Sequence, residues 1–195
     1  MSVIELRLPL DEATVRKLRV NDSVALTGII ITARDRAHAY LAEADRRGEL
    51  PFDLEGSVLY HCGPIARKTA AGPVVVSAGP TTSARMDPYE ALVIARYGVR
   101  AVMGKGGMSE GLLKTFARDG CVYLSAYGGC GALYAGRVRR VLDTFKAEEF
   151  GSPEAFWLLE VEELPALVTM DSQGGDLHGD VRRRSREQAA ILQEG

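Results

Sequence analysis

Cysteine is scarce in this 195-residue chain: Cys62, Cys121 and Cys130 are odd in number and include no Cys-x-x-Cys pair. A disulfide framework or a structural zinc site is therefore not expected. Charge of one sign is also lacking. With 24 Lys and Arg against 26 Asp and Glu the net charge is -2, which gives no reason to invoke nucleic acid or an anionic membrane. Apolar runs are far shorter than the roughly 20 residues that cross a bilayer. The opening Met1-Ser2-Val3-Ile4-Glu5-Leu6-Arg7 alternates polar and apolar and has no signal-peptide core, so a cytoplasmic location is expected. What is present is 46% hydrophobic residues, enough for a full core, and the expectation is one domain with an appendage.

The order of segments is that of an α/β fold. Val3 to Leu8 reads as a strand and Asp11 as the cap of a short helix ending near Leu18. After the Asn21-Asp22 turn, Ser23 to Ile31 is β-branched and almost wholly apolar, as expected for a strand covered on both faces. Thr32 and Asp35 have capping-box spacing, with Asp in place of the usual Glu, so a helix is expected from Ala33 to about Arg47. Gly48 to Gly56 is a connector, Ser57 to Tyr60 a strand ending at His61-Cys62-Gly63-Pro64, Ile65 to Gly72 an exposed loop and Val74 to Ala78 another strand. The helix from Asp87 to Gly98 is expected to bury Tyr89, Leu92, Val93, Ala95 and Tyr97. Ala101 to Met103 is a short strand, and Ser109 the cap of a helix to about Asp119. Cys121 to Ser125 and Val138 to Phe145 read as strands, with one or two helical turns from Ala132 to Gly136 between them. Phe156 to Val161 and Ala166 to Met170 read as two strands joined by Glu162-Glu163-Leu164-Pro165. The end, with Arg182-Arg183-Arg184-Ser185-Arg186, reads as a solvated tail compatible with a helix.

Three loops share one plan: each follows an apolar strand, opens a helix and carries a cation. Gly79-Pro80-Thr81-Thr82-Ser83-Ala84-Arg85-Met86-Asp87 combines hydroxyls, backbone amides and a guanidinium able to grip a carboxylate with two hydrogen bonds. The alternative is a capped helix with a surface salt bridge. Thr32-Ala33-Arg34-Asp35-Arg36-Ala37-His38 places Arg34 and His38 four residues apart near a helix start, a second candidate carboxylate site. There the alternative is an exposed Arg and a partly buried His bonded to a backbone carbonyl. Gly104-Lys105-Gly106-Gly107 permits close backbone approach to a ligand and adds the charge of Lys105, but lacks the spacing of a P-loop. His61 and Cys62 either line the same cleft or pack in the core. Since strand C-termini gather at one edge of an α/β sheet, Arg34, Thr81, Arg85 and Lys105 can meet there around a small dicarboxylate.

These three motifs, in this order and spacing, resemble the C-terminal domain of class I, iron-sulfur-dependent fumarases, and above all the beta subunit of two-subunit fumarate hydratases and L-tartrate dehydratases. The resemblance runs from Leu8 to Leu177. It implies a swivelling β/β/α domain with a mixed sheet and flanking helices over residues 1 to 178, followed by a polar, basic tail from 179 to 195. It also implies that Arg34, Thr81, Arg85 and Lys105 contact the substrate with His38 nearby, that Thr81 and Lys105 are catalytic, and that Thr81 is the candidate base. A [4Fe-4S] cluster would be carried by a partner alpha subunit, in an α2β2 assembly. Ala84 stands where the family commonly has glycine, and Gly107-Met108 where a more polar pair is common.

Dehydration of malate or tartrate suits such residues. A weakly acidic proton leaves beside one carboxylate while a hydroxyl departs from the next carbon, and a Lewis-acidic iron favours that departure. Cations at the other carboxylate stabilise the carbanion-like charge. A threonine hydroxyl needs activation to act as base. Three cysteines match the number of thiolates that hold a cluster with one open iron, but their spacing is not that of a ligand set, and structural or incidental roles are expected. The chain alone is then expected to lack hydratase activity. A stand-alone carboxylate-binding module and a scaffold for the partner are the competing readings.

Overall fold

The computed structural model describes residues 3–70 and 72–193. Met1, Ser2, Ala71, Glu194 and Gly195, which fall within the expected domain, loop and tail, lie outside the described residues. The first half contains β1 (Ile4–Arg7), α1 (Glu12–Val15), β2 (Ser23–Thr32), α2 (Asp35–Glu43), β3 (Val58–Tyr60), β4 (Ile65–Thr69), β5 (Gly72–Ser77) and α3 (Asp87–Tyr97). The second contains β6 (Ala101–Gly104), α4 (Leu113–Asp119), β7 (Val122–Ser125), α5 (Gly131–Ala135), β8 (Val138–Phe145), α6 (Ala147–Phe150), β9 (Phe156–Met170) and α7 (Leu177–Gln193).

Strands β1, β2, β3, β6 and β7 pair in parallel, whereas β9 runs antiparallel to β2, β7 and β8. Because β9 joins both β7 and β2, the pairing returns on itself through β2, β3, β6, β7 and β9. Alternation along the central strands fills two cores. Ile30, Val58, Tyr60, Ala101, Met103, Val122 and Leu124 enter one. Ile31, Leu59, Val102 and Tyr123 enter the other, beneath α2, α3 and α4. Burial on both faces is why these strands are apolar without a break. This is the expected α/β fold, a mixed sheet with flanking helices.

Several boundaries differ from the sequence expectation. Helix α2 starts at Asp35 because the Thr32 hydroxyl is committed to the sheet edge, accepting from the Trp157 N–H at 3.0 Å. It stops at Glu43, where the Arg96 guanidinium donates to the carbonyls of Leu41, Ala42 and Ala44 at 2.8–3.0 Å. The expected loop at Ile65 is strand β4, paired with β5 in a separate hairpin. Its side chains are mostly exposed, so it carries no apolar period. Instead of two strands, Phe156–Met170 is one, held along β2 from Thr32 opposite Trp157 to Ser23 opposite Leu167. The Glu162-Glu163 stretch is a bulge opposite Thr27, with Glu163 at φ +50°. Ser109 takes the N-cap position of a helical turn, Glu110–Leu112, that leads into α4, but its side chain makes no capping bond; its N–H donates to the Asp87 carboxylate at 3.1 Å. The tail is a helix that runs unbroken through residues 178 and 179, and His178 ties it to Thr169 at 3.0 Å.

Helix α3 buries Glu90, Val93, Ile94 and Tyr97 and ends at Gly98 in the left-handed region, φ +69°. Leu92 and Ala95, expected inside, are exposed, and Tyr89 is only half-buried. The buried stripe therefore contains a carboxylate.

Candidate active site

The C-terminal ends of β2, β3 and β6 lie at one edge, and the loops of Arg34, His61 and Lys105 leave from it. The loop from Gly79 to Asp87 enters from hairpin strand β5 and wedges between two of these ends. Thr81 N–H donates to His61 O at 2.7 Å, Lys105 N–H to Thr81 O at 3.1 Å, and Ser83 N–H to Lys105 O at 3.0 Å. Residues 81–83 thus act as a short strand where β3 and β6 part. Gly104 permits this approach: a β-carbon there would overlap the Ser83 hydroxyl and lie 3.1 Å from His61 Nδ1.

On the surface of this wedge, Arg85 donates from Nη1 to Thr81 Oγ1 at 3.3 Å and from Nε to Asp35 Oδ1 at 2.9 Å, with a second contact from Nη2 to Asp35 Oδ2. Burial opposes ionisation of Asp35, but the Arg85 hydrogen bond and charge hold its carboxyl below the usual range. Arg34, beside Asp35 in sequence, turns to Glu154 at 3.2 Å. Lys105 has no ion-pair partner among the described residues. The structure thus joins Thr81 to Arg85 through side chains, Lys105 to Thr81 through the backbone, and Arg34 through its neighbour Asp35.

His38 lies beneath this group. It is fully buried, with Nδ1 2.9 Å from the Arg34 carbonyl and Nε2 3.3 Å from Glu90 Oε2. His61, also fully buried, places Nε2 3.2 Å from the same Glu90 oxygen and Nδ1 2.9 Å from Ser83 Oγ, which is 2.9 Å from the Tyr123 hydroxyl. The two rings meet edge to face, centroids 5.1 Å apart. Burial opposes the charged form of Glu90, yet the two histidines hold its carboxyl down at about 2. Burial is the largest single influence on His38 and lowers it, but the Glu90 charge and hydrogen bond, the Arg34 carbonyl and the Asp35 charge together outweigh it and raise the value; for His61 burial prevails and the value falls. In this conformation His38 reaches Glu90 and not the surface.

Glu90 and Tyr123 are not among the residues that the sequence motifs single out, and Ser83 and Asp35 enter there only as a loop hydroxyl and a capping-box acid. One signal was present: Glu90 shares a helical stripe with Met86, Val93, Ile94 and Tyr97, all buried.

Among the described residues no group of closely placed ligand atoms includes a cysteine. Cys62 and Cys121 are fully buried, and all three are free. Burial pushes the Cys62 thiol up to about 12 and Cys121 well above its ordinary value, the reverse of what a thiolate ligand needs. A cavity of about 460 Å³ is lined by Glu110, Asp176, Arg182 and Arg186 and not by Thr81, Arg85 or Lys105. The chemistry-bearing cluster lies away from that cavity, with Arg34, Thr81 and Lys105 half-buried and Arg85 exposed. No helix among the described residues is long and apolar enough to cross a membrane.

Comparison with known proteins places the chain in a family. The family model described as fumarase C-terminus matches residues 1–181. A relative from Geobacillus stearothermophilus, named for fumarate hydratase class I, is 44% identical over 193 residues, which are 98% of this chain and 37% of that protein. The chain therefore spans little more than a third of that relative. A relative from Methanocaldococcus jannaschii, named for L(+)-tartrate dehydratase subunit beta, is 47% identical over 91% of this chain and 92% of its own length. The L(+)-tartrate dehydratase subunit beta of Escherichia coli (strain K12) is 36% identical over 88% of this chain and 85% of its own. With matches of this extent, the chain belongs to the fumarase C-terminus family.

Proposed function

We propose that this chain is the beta subunit of a hydro-lyase that interconverts a 2-hydroxy dicarboxylic acid, malate first among them, with its dehydrated product. The observation that carries the reading is the Thr81 segment wedged between the ends of β3 and β6, which joins Thr81 to Arg85 by a side-chain hydrogen bond and to Lys105 through the backbone. An iron-sulfur alpha subunit completes the site in an α2β2 cytoplasmic enzyme, and this domain swivels to close over it. The buried, protonated state of Cys62 and Cys121 supports assigning the [4Fe-4S] cluster to the partner. The names of the M. jannaschii and E. coli relatives, whose length this chain nearly fills, favour a two-subunit assembly and make tartrate the second substrate to test.

In this reading Arg34, Arg85 and Lys105 receive the substrate carboxylate remote from the departing hydroxyl and stabilise the charge that develops on it. Asp35 stands in for that carboxylate at Arg85 in the free chain. The pair is exposed, 46% and 35% at the two side chains, so it is worth about 0–1 kcal/mol and yields readily to a better ligand. Thr81 Oγ1 accepts from the Arg85 guanidinium, a contact that favours its alkoxide and hence its use as a base. His38 acts from below through the Arg34 carbonyl.

Two assays test the reading. The chain co-purified anaerobically with its iron-sulfur partner is expected to convert malate to fumarate or to dehydrate tartrate, with each subunit alone inactive. Failure of the chains to associate would favour the stand-alone module. In the active pair, Thr81→Ala is expected to lower kcat by about a hundredfold or more while KM moves little. Loss of affinity at full kcat would make Thr81 an anchor instead.

A further inference from the structure

The group formed by His38, His61 and Glu90 lies outside the roles given above to the surface cations. Its hydrogen-bond logic is constrained. The carbonyl of Arg34 can only accept, so His38 Nδ1 carries a proton. In a neutral ring that would leave the Nε2 lone pair facing a carboxylate oxygen 3.3 Å away, in a site from which water is excluded. Two acceptors so placed repel, and nothing nearby relieves them. A proton on Nε2 removes the conflict and makes His38 an imidazolium that neutralises Glu90.

With the charge balanced, His61 stays neutral. Its Nε2–H faces Glu90, and its Nδ1 accepts from the Ser83 hydroxyl, which in turn accepts from Tyr123. The Nε2 contacts at 3.2–3.3 Å are not aligned as good hydrogen bonds, so charge holds the group more than direction does. The directions of the two histidine shifts, up for His38 and down for His61, agree with this distribution. The other titratable groups acting on the cluster are Asp35 of α2, Cys121, and Tyr123 of β7, with Asp87 acting on Tyr123. A divalent ion is the rival occupant, since the ligand atoms lie within 4.8 Å of one another. Structural zinc, however, takes four ligands; three are present here, and full burial leaves no solvent to supply a fourth.

We propose that Glu90 is a positioning residue of the candidate active site, a buried carboxylate that clamps a His38 imidazolium and a neutral His61 and thereby fixes the three substrate-facing loops to one another. Each loop is attached to the clamp. His38 holds the Arg34 carbonyl, His61 O receives the Thr81 N–H, and Ser83, bonded to His61 Nδ1, donates its N–H to Lys105 O. The catalytic consequence rests on the hydro-lyase reading, but the clamp itself does not.

The test therefore has arms on the chain alone and in the enzyme. Nitrogen-15 imidazole spectra of the wild-type chain at pH 7.5 are expected to show His38 protonated on both nitrogens and His61 neutral with its proton on Nε2, and metal analysis to show no stoichiometric zinc. In Glu90→Gln, His38 should lose its charge. The Thr81 and Lys105 amides should then exchange at least tenfold faster, with the β1–β2 ladder unchanged. In the pair assembled with its partner, Glu90→Gln should lower kcat/KM at least tenfold and shift its pH profile, and Glu90→Asp should recover part of the loss. A neutral His38 in the wild type, one equivalent of zinc, or a Glu90→Gln chain with wild-type exchange and kcat/KM would each overturn the proposal. A wild-type pair inactive on malate and tartrate would sink the reaction assignment, while the spectra and exchange rates would still decide the clamp. Should Glu90→Gln fail to fold, the wild-type spectra carry the decision.

Discussion

Arg85 and Glu90 lie five residues apart in sequence, each paired with an opposite charge, and they are held in opposite ways. Arg85 meets Asp35 at the surface, where water competes for both groups and the pair adds at most about 1 kcal/mol. Glu90 meets His38 and His61 with no exposure at all. Removing one partner from such a buried pair costs roughly 3–5 kcal/mol because the other charge is stranded. The difference separates two tasks. A weak exposed pair is free to exchange Asp35 for an incoming carboxylate, whereas a strong buried one keeps the loops in register while that exchange occurs.

The largest effect expected from this contrast is on the exposed side. Arg85→Ala in the assembled enzyme should lower kcat/KM by a hundredfold or more and leave the thermal midpoint of the chain within a few degrees. A large stability loss with activity retained would reverse the two assignments.

On the buried side the readout is stability against pH. His38 has a raised value in the folded chain, so its contribution is complete below its unfolded value near 6.5 and fades as pH rises through the folded value. His61, lowered by burial, acts with the opposite sign and loses its contribution as pH falls below 6.5. The two together give a maximum near pH 6.5, with slopes of at most about 1.4 kcal/mol per pH unit from each group. Denaturant titrations of wild type and Glu90→Gln between pH 5.5 and 8 should show this dome in the first and a flatter curve in the second.

The smallest effect belongs to Asp35→Asn, which removes the stand-in carboxylate. Stability should fall by less than about 1 kcal/mol, and KM should fall modestly as Arg85 is released to the substrate. A raised KM would show that Asp35 orients Arg85 instead of competing for it.

What the sequence disclosed follows the same division. Apolar, β-branched runs announce strands, so Ser23–Thr32 and Ala101–Gly104 were legible, as were the cationic loops at their ends, but only β6 is covered on both faces throughout; β2 is so covered from Ile30 to Thr32 alone, and its Ile29 is exposed. Strand β4 was not, because its exposed Arg67 and Lys68 carry no apolar period. The span of β9 was also hidden: Pro165 and two glutamates resemble a turn, and only pairing with β2 holds them extended. Helix α2 was drawn too long at both ends because Thr32 and Arg96, which limit it, act through partners distant in sequence. Glu90 was legible only as one polar position in a stripe of buried ones, and His61 could not be told from a packed core histidine. The partners that give both their meaning are assembled by three loops and cannot be seen in any one of them.

Lys105 offers the most direct test, since it lies on the face assigned to substrate and has no ion-pair partner among the described residues whose loss could disturb the fold. The measurement is kcat/KM of Lys105→Ala in the anaerobically assembled pair, with association checked by gel filtration. Normal assembly with at least a hundredfold loss on the hydroxy acid is expected. Normal assembly with full activity would contradict the claim that this face binds the substrate and would leave the chain a scaffold for its partner.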